Sequence, residues 1–220
     1  MSEKKNEDLQ KEDKRQLPPY LKKILAWDVE LTKRFVSFML NFVSVRSVKN
    51  HGRFLEISCH GIIILVLWFI LTWMIDDPEL YEMQINLLIG LLLDIVIIAC
   101  IKAATRRHRP SFNDDPFSIG PDKFSFPSGH ASRAVFMAAF FTLLSPLPMI
   151  FWPPLVAWAT AVCFSRLLMY RHHILDVLAG AVLGLLEAFL LSLLWCDRET
   201  SLGIMKWISD DKYVEGQTGI

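Results

Sequence analysis

The charged residues of this chain are confined to a few segments, and this segregation constrains the fold more than any other sequence feature. Of 46 charges among 220 residues, only 10 fall within 57–101 and 124–196, which together span 118 positions. A water-soluble domain distributes charge over all of its surface segments. We therefore predict an integral membrane protein. A net charge of zero and an apolar content of 53% argue against a disordered acidic chain or a basic nucleic-acid-binding protein.

The apolar stretches are long enough to cross a bilayer, which takes about 20 mostly apolar residues. Residues 57–75 carry no charge, whereas 83–101 and 177–196 carry only Asp94 and Glu187, respectively. Residues 134–165 are also uncharged but too long for one span, and prolines at 146, 148, 153 and 154 interrupt them. We read them as two helices, at about 131–145 and about 150–165. The prediction is an all-α polytopic bundle of five or six core helices, with five crossings within 57–196.

The flanking segments differ from this membrane domain. Residues 1–19 are predicted to be a disordered charged tail without the apolar core of a cleavable signal peptide, and 197–220 a polar C-terminal segment. Within 20–56, an apolar helix at 24–45 carries a polar stripe of Glu30, Lys33, Arg34, Ser37, Asn41 and Ser44. This helix could lie in the membrane interface, span the bilayer with its stripe facing the bundle, or pack as a soluble helix.

Three polar clusters interrupt the apolar pattern, at 102–110, 126–130 and 165–176. No span separates the first two clusters, and two spans separate the second from the third. All three clusters are therefore predicted at the same membrane face. The four cysteines form no close pair, so neither a disulfide framework nor a zinc site is predicted.

The residue types in these clusters suit phosphoryl transfer. Lys102, Arg109 and Arg166 are cations at helix ends that can bind an anion through charge-assisted hydrogen bonds. Ser128 and Gly129 precede a helix whose backbone N–H groups can bind phosphate. A carboxylate can orient an imidazole by accepting from one ring nitrogen, leaving the other as nucleophile or base. The spacing of His172 and Asp176 suits this on a helix, His173 competes for the same carboxylate, and His130 can serve as general acid.

The order and spacing of these residues resemble the three-part signature of the type 2 phosphatidic acid phosphatase superfamily, which includes lipid phosphate phosphatases and vanadium haloperoxidases. The matching residues are Lys102-x6-Arg109-Pro110, Pro127-Ser128-Gly129-His130 and Ser165-Arg166-x5-His172-x3-Asp176. The short chain, the charged N-terminal tail and the sequence from Ser125 to Ala134 are most similar to the polyisoprenoid (presqualene) diphosphate phosphatase branch.

The resemblance implies a role for each matching residue. His172 would attack phosphorus and form a phosphohistidine, Asp176 would orient His172, and His130 would protonate the leaving oxygen. The phosphate oxygens would be held by Lys102, Arg109, Ser128, Gly129 and Arg166. No metal and no cofactor are expected. Members of the family often have glycine two residues before the nucleophile, where this chain has Tyr170.

The resulting expectation is a multi-pass lipid phosphatase that hydrolyses polyisoprenoid diphosphates or monophosphates, or phosphatidate-type lipids, without metal. The alternatives are a phosphatase of soluble phosphate esters and a catalytically silent transporter or scaffold. The expected partners are the lipid substrate and the membrane, without nucleic acid, in the endoplasmic reticulum or nuclear envelope of a eukaryote. The site would be lumenal if 24–45 spans and the N-terminus is cytosolic, and cytosolic if that segment is interfacial. Arg106, Arg107 and His108 could bind a diphosphate or lipid head groups, whereas Asp94 and Glu187 are expected to be structural.

Overall fold

The computed structural model describes residues 18–110 and 124–214, with side chains described up to residue 207. These residues form helices without a β-strand, which confirms the predicted all-α class. We number the α-helices α1 to α8; a π-helical turn, Phe140–Leu144, extends α5, and a 3₁₀ turn, Met149–Phe151, precedes α6. The helices are α1 Pro19–Leu40, α2 Val45–Ser58, α3 Gly61–Met74, α4 Tyr81–Thr105, α5 Gly129–Ala139, α6 Trp152–Leu168, α7 Ile174–Leu193 and α8 Arg198–Val214.

Three described helices are long and apolar enough to cross a membrane, namely α4, α6 with its preceding 3₁₀ turn, and α7. A fourth candidate is the pair α2 and α3, which is bent by 47°. The apolar helix Gly129–Leu144 is shorter than a full span, as the sequence indicated. Within the uncharged stretch 57–75, the chain bends between Ser58 and Gly61, and α3 begins at Gly61. Many large apolar side chains on these helices are exposed, as expected of lipid-facing surfaces.

Two glycines in α7 allow it to pack closely against α5. A Cβ atom at Gly180 would collide with the carbonyl oxygen of Ser128, and one at Gly184 with the carbonyl oxygen of Ser132. Small residues four apart let two membrane helices approach backbone to backbone. This contact brings the N-terminus of α5 beside the N-terminus of α7, where the second and third polar clusters lie.

The helix predicted at 24–45 ends earlier than expected, at Leu40; residues 41–44 form a turn, and α2 begins at Val45. The buried side chains of α1 are Asp28, Thr32 and Val36. The predicted polar stripe lies on another face, and its Glu30, Lys33 and Arg34 are exposed. The bundle therefore contacts a face of α1 that the sequence pattern did not single out.

The two acids within the predicted spans are buried together. The Arg133 guanidinium of α5 lies 2.5 Å from Asp94 of α4 and also donates to the Cys59 carbonyl oxygen at 3.0 Å. Glu187 of α7 accepts from the Ser132 hydroxyl of α5 at 3.2 Å. This network, which we call the inner cluster, joins three helices and the bend between α2 and α3. A structural role was the expectation for both acids, and this arrangement suits it.

Candidate active site

The structure brings the three polar clusters together at one end of the bundle. The backbone N–H of Ser125 donates to the Arg107 carbonyl oxygen at 2.7 Å, which joins the first cluster to the residues just before the second. The backbone N–H of Ser128 donates to the Asp176 carbonyl oxygen at 2.9 Å, which joins the second cluster to the third. The break between α5 and α6 returns the chain to the same end, as the span count required.

His172 is almost completely buried and held by a backbone carbonyl. Its Nδ1 lies 2.8 Å from the Ser125 carbonyl oxygen. A carbonyl oxygen can only accept a hydrogen bond, so Nδ1 carries the proton. The neutral ring then has its lone pair on Nε2, which is the form needed for nucleophilic attack.

The contacts of Asp176 differ from those that the sequence spacing suggested. The helix begins at Ile174, so His172 lies before it and not on a shared helical face. The Asp176 carboxylate accepts from the His173 backbone N–H at 2.8 Å and lies 3.2 Å from His173 Nδ1, whereas His172 Nδ1 is 3.9 Å away. In this structure the Ser125 carbonyl orients His172, and the Asp176 carboxylate binds His173 instead.

Three cations surround the nucleophile candidate. Lys102 is buried in the last turn of α4, Arg166 is buried near the end of α6, and Arg109 is half-buried in the segment after α4. Burial lowers the pKa of His172 well below its usual value, and the charges of Arg109, Lys102 and Arg166 oppose the imidazolium further. His172 is therefore neutral at physiological pH, in a field that attracts an anion.

Arg166 is fixed by α2, which the sequence analysis did not connect to the site. Its guanidinium lies 3.0 Å from the Glu56 carboxylate and donates to the Gly52 carbonyl oxygen at 3.2 Å. A Cβ at Gly52 would collide with the Met169 sulfur, so a larger residue there would have to displace the methionine side chain. Glu56 holds one face of the guanidinium, which limits the directions in which Arg166 can reach a phosphate.

Ser128 and Gly129 form the start of α5. The Ser128 hydroxyl accepts from the Ala131 backbone N–H at 3.4 Å and caps the helix, and the side chain is buried. Because the Ser128 backbone N–H already donates to Asp176, the donors left for an anion at this turn come from Gly129 onward. Gly129 packs against Ile98 of α4, where a Cβ would lie 3.2 Å from the isoleucine Cγ2.

A cavity of about 260 Å³ lies beside His130, the second residue of α5. Lys102 and Gly129 line it near His130, and the ring of His60 lies 6.3 Å from that of His130. Arg133 of α5 also lines it, and the rest of the wall is largely apolar and comes from α3 and α4, with Ile62, Ile95, Ile98 and Ala99. The cavity thus joins a cationic end to an apolar surface of the bundle.

Tyr170 has a φ of 53°, a left-handed conformation that favours glycine. This explains why glycine suits the position in the resembling family and shows that the tyrosine is accommodated with backbone strain. Its half-buried ring packs with a buried cluster that includes Val36 and Leu167. The side chain is thus directed toward α1 and α6 as part of the packing.

Sequence reasoning missed several residues that support the site. They are Asp28, Glu56, Ser125 and Arg107, whose guanidinium contacts both Asp28 and Asp176. Asp28 and Glu56 lie far from the motifs in the chain, and the Ser125 contact uses a backbone carbonyl, so spacing carries no signal for them. Among side chains of residues 18–110 and 124–207, no three His, Cys, Asp or Glu residues lie together as metal ligands would.

The chain is similar to members of one known protein family. Residues 84–199 match the model of the PAP2 superfamily. A probable lipid phosphate phosphatase beta of Arabidopsis thaliana is 35% identical over 139 residues, which cover 51% of this chain and 65% of that protein. The match therefore spans just under two thirds of the curated relative.

One solved structure has a similar fold. A transmembrane PAP2-type phosphatidylglycerolphosphate phosphatase from Bacillus subtilis superposes with a TM-score of 0.54 at 25% identity, covering 77% of this chain and 85% of that one. LpxE of Aquifex aeolicus aligns at 19% identity and a TM-score of 0.42 over 80% of this chain and 87% of its own. The matched residues include all three polar clusters and more than half of the chain, and the chain belongs to the PAP2 superfamily.

Proposed function

We propose that this chain is an integral-membrane lipid phosphatase that hydrolyses polyisoprenoid diphosphates or monophosphates without metal, through a phosphohistidine. The observation that carries the proposal is the cavity beside His130, which Lys102, Arg133 and His60 line together with apolar residues of α3 and α4. A ligand that fits it has a charged head and a hydrophobic tail. Soluble phosphate esters match only the first of these requirements.

The proposed reaction begins at His172. Nδ1–H donates to the Ser125 carbonyl, so the lone pair of Nε2 attacks phosphorus and forms a P–N bond. The P–O bond to the leaving group breaks, and His130, protonated as the substrate anion binds beside it, gives its proton to that oxygen. For a diphosphate attacked at the terminal phosphorus, the leaving group is the lipid monophosphate.

Water completes the proposed cycle. It attacks the phosphorus of the phosphohistidine, His130 takes its proton back, and the P–N bond breaks to release inorganic phosphate and neutral His172. Lys102, Arg109 and Arg166 stabilise the charge that develops on the phosphoryl oxygens, which is the electrostatic task that a metal ion performs in other phosphatases. A phosphatidate-type lipid would react in the same way, with the diacylglycerol oxygen as leaving group.

A substrate panel in detergent micelles with EDTA tests the proposal. We expect phosphate release from farnesyl or presqualene diphosphate and little from glucose phosphate. His172→Ala should lower the rate by at least about 1,000-fold, as loss of a nucleophile does. His51→Ala is the matched control, since His51 is exposed on α2 and should leave the rate unchanged. Strict magnesium dependence, or activity on glucose phosphate alone, would contradict the proposal.

The cellular location is also part of the proposal. We place the enzyme in the endoplasmic reticulum or nuclear envelope of a eukaryotic cell, with the orientation of the active site decided by whether α1 spans. A glycosylation acceptor inserted at 112–120 reports the side directly, because only a lumenal acceptor is modified. Absence of the protein from these membranes in fractionated cells would overturn this part.

A further inference from the structure

Helix α1 lies outside the three polar clusters and outside the matched family region, yet it contacts the start of α7. Asp28 and Thr32 are 1% and 2% exposed, respectively. The Leu175 backbone N–H donates to Asp28 at 3.1 Å, and the Ile174 backbone N–H donates to the Thr32 hydroxyl at 3.1 Å. The first backbone donors of a helix have no partner within it, and here α1 supplies partners to two of them.

Asp28 also holds an arginine that contacts the catalytic segment. The Arg107 guanidinium lies 2.6 Å from Asp28 through one nitrogen and 2.6 Å from Asp176 through the other. Its side chain is 12% exposed, and the two carboxylates are 1% and 0% exposed. We call Asp28, Arg107 and Asp176 the outer cluster. Charge-assisted hydrogen bonds of this length in a buried setting fix the geometry of all three groups.

The backbone of Arg107 extends the connection to His172. The Arg107 carbonyl accepts from the Ser125 N–H, and the Ser125 carbonyl accepts from His172 Nδ1. Anything that fixes Arg107 therefore also fixes the carbonyl that sets the tautomer and direction of the imidazole. Asp28 and Asp176 provide that restraint from opposite sides.

We propose that Asp28 is a positioning residue, which acts through Arg107 to hold Ser125 and Asp176 and thereby aims His172 at phosphorus. This inference rests on the proposed phosphatase function. Asp28 is not among the residues that line the cavity beside His130, nor among the cations proposed to hold the phosphate, so its loss should change catalysis more than substrate binding. A shift of the nucleophile of about 1 Å is enough to lower a rate by about 100-fold.

The test compares Asp28→Asn, which removes the charge but keeps the size, with Thr32→Val, which removes only the cap on the same helix end. Both variants are purified in detergent and assayed for phosphate release from farnesyl diphosphate alongside thermal unfolding. We expect kcat of Asp28→Asn to fall by 10- to 100-fold with KM within about threefold, and kcat of Thr32→Val to stay within about threefold despite a lowered Tm. Asp28→Glu, which restores the charge, should recover part of the loss.

Equal kcat values for Asp28→Asn and Thr32→Val would overturn the proposal, because Asp28 would then act only as a cap. If Asp28→Asn does not fold, Arg107→Lys decides the matter from the other side of the contact. It keeps the charge but cannot contact both carboxylates in the same way, so we expect about a tenfold loss in kcat with little change in KM. A wild-type kcat in Arg107→Lys would refute the inference. A wild-type enzyme inactive on every lipid phosphate would instead refute the proposed function.

Discussion

The outer and inner clusters use the same chemistry in different settings. In each, a buried arginine contacts carboxylates of other segments: Arg107 lies between Asp28 and Asp176 in the outer cluster, and Arg133 pairs with Asp94 in the inner one. The outer carboxylates also accept backbone N–H groups at the start of α7, whose dipole favours negative charge there. The inner carboxylates lie within the bundle, where Arg133 is the cation beside Asp94. The outer cluster should therefore matter more for catalysis, and the inner cluster more for folding.

The largest expected effect on folding comes from Arg133→Gln. This change leaves Asp94 buried without its cation and removes the hydrogen bond to the Cys59 carbonyl at the bend between α2 and α3. Breaking one partner of a buried ion pair typically costs about 3–5 kcal/mol. We expect a loss of that order in the free energy of unfolding, measured by denaturant titration in micelles, with kcat of the folded fraction within about tenfold of wild type.

A second substitution separates charge from packing at the inner cluster. Arg133→Gln combined with Asp94→Asn removes the uncompensated charge and should recover most of the lost stability. A double variant no more stable than the single one would mean that Arg133 acts through its packing and its bond to Cys59. In that case the comparison based on charge would fail.

Arg107→Gln should show the opposite balance. Asp28 and Asp176 lose the guanidinium but keep their backbone donors, so we expect a stability loss of about 2 kcal/mol, less than for Arg133→Gln. The phosphatase rate should fall by about 100-fold, because Asp176 and the segment around Ser125 lose a shared support. Measurements of Tm and kcat on both variants show how the loss of stability compares with the loss of rate for each arginine. A larger stability loss and a smaller rate loss than Arg133→Gln would reverse our assignment.

The cations around His172 predict a pH effect. The pKa of His172 is below its usual value of 6.5, so the neutral nucleophile persists as pH falls below 6.5 and is lost only through the lowered pKa. The acid limb of kcat/KM should therefore lie below pH 6.5. Arg109→Gln removes an opposing cation and should move that limb upward, in addition to lowering kcat/KM.

The position of this limb can be separated from its height. Arg34→Gln is the control, because Arg34 is exposed on α1 and pairs only with Glu30 four residues earlier among its described side-chain contacts. It should leave the limb in place. The acid limb of Arg109→Gln could instead keep its position or move to lower pH. Either result would show that Arg109 does not set the pKa of the group whose ionisation is observed.

The sequence predicted those parts of the molecule that follow from local pattern. Apolar length located the spans, and the span count placed the three clusters at one end, because both depend only on residues near each other in the chain. The fold class and the break between α5 and α6 followed from this. The face of α1 that packs against the bundle did not follow from local pattern. Its buried residues Asp28 and Thr32 lie outside the polar stripe that the pattern emphasised.

The site was predicted in its residue types and less well in its contacts. The motif residues gather at one end of the bundle, but their partners come from distant segments. The pairing of His173 with Asp176 depends on where α7 begins, since a start at Ile174 makes His173 the capping residue and leaves His172 to the Ser125 carbonyl. A spacing of four residues places His172 beside Asp176 only if both lie in a helix, and α7 has not yet begun at His172. Likewise, Glu56 reaches Arg166 because α2 and α6 approach at Gly52, a contact across 110 residues.

The smallest effect we predict concerns the residue that precedes Arg107 of the outer cluster. Arg106, next to Arg107, ends α4 in a left-handed conformation with φ of 50°, and its side chain is exposed. Glycine adopts this conformation without the steric cost that an L-residue bears, so Arg106→Gly should raise stability by about 0.5–1 kcal/mol. Arg106→Ala is the control, because it removes the same side chain and keeps the strain; it should not raise Tm. Since relief of strain leaves the backbone path in place, kcat should stay at the wild-type value. A fall in kcat with Arg106→Gly but not with Arg106→Ala would mean that the stiffness of this residue helps to hold Arg107, which would extend the outer cluster by one position.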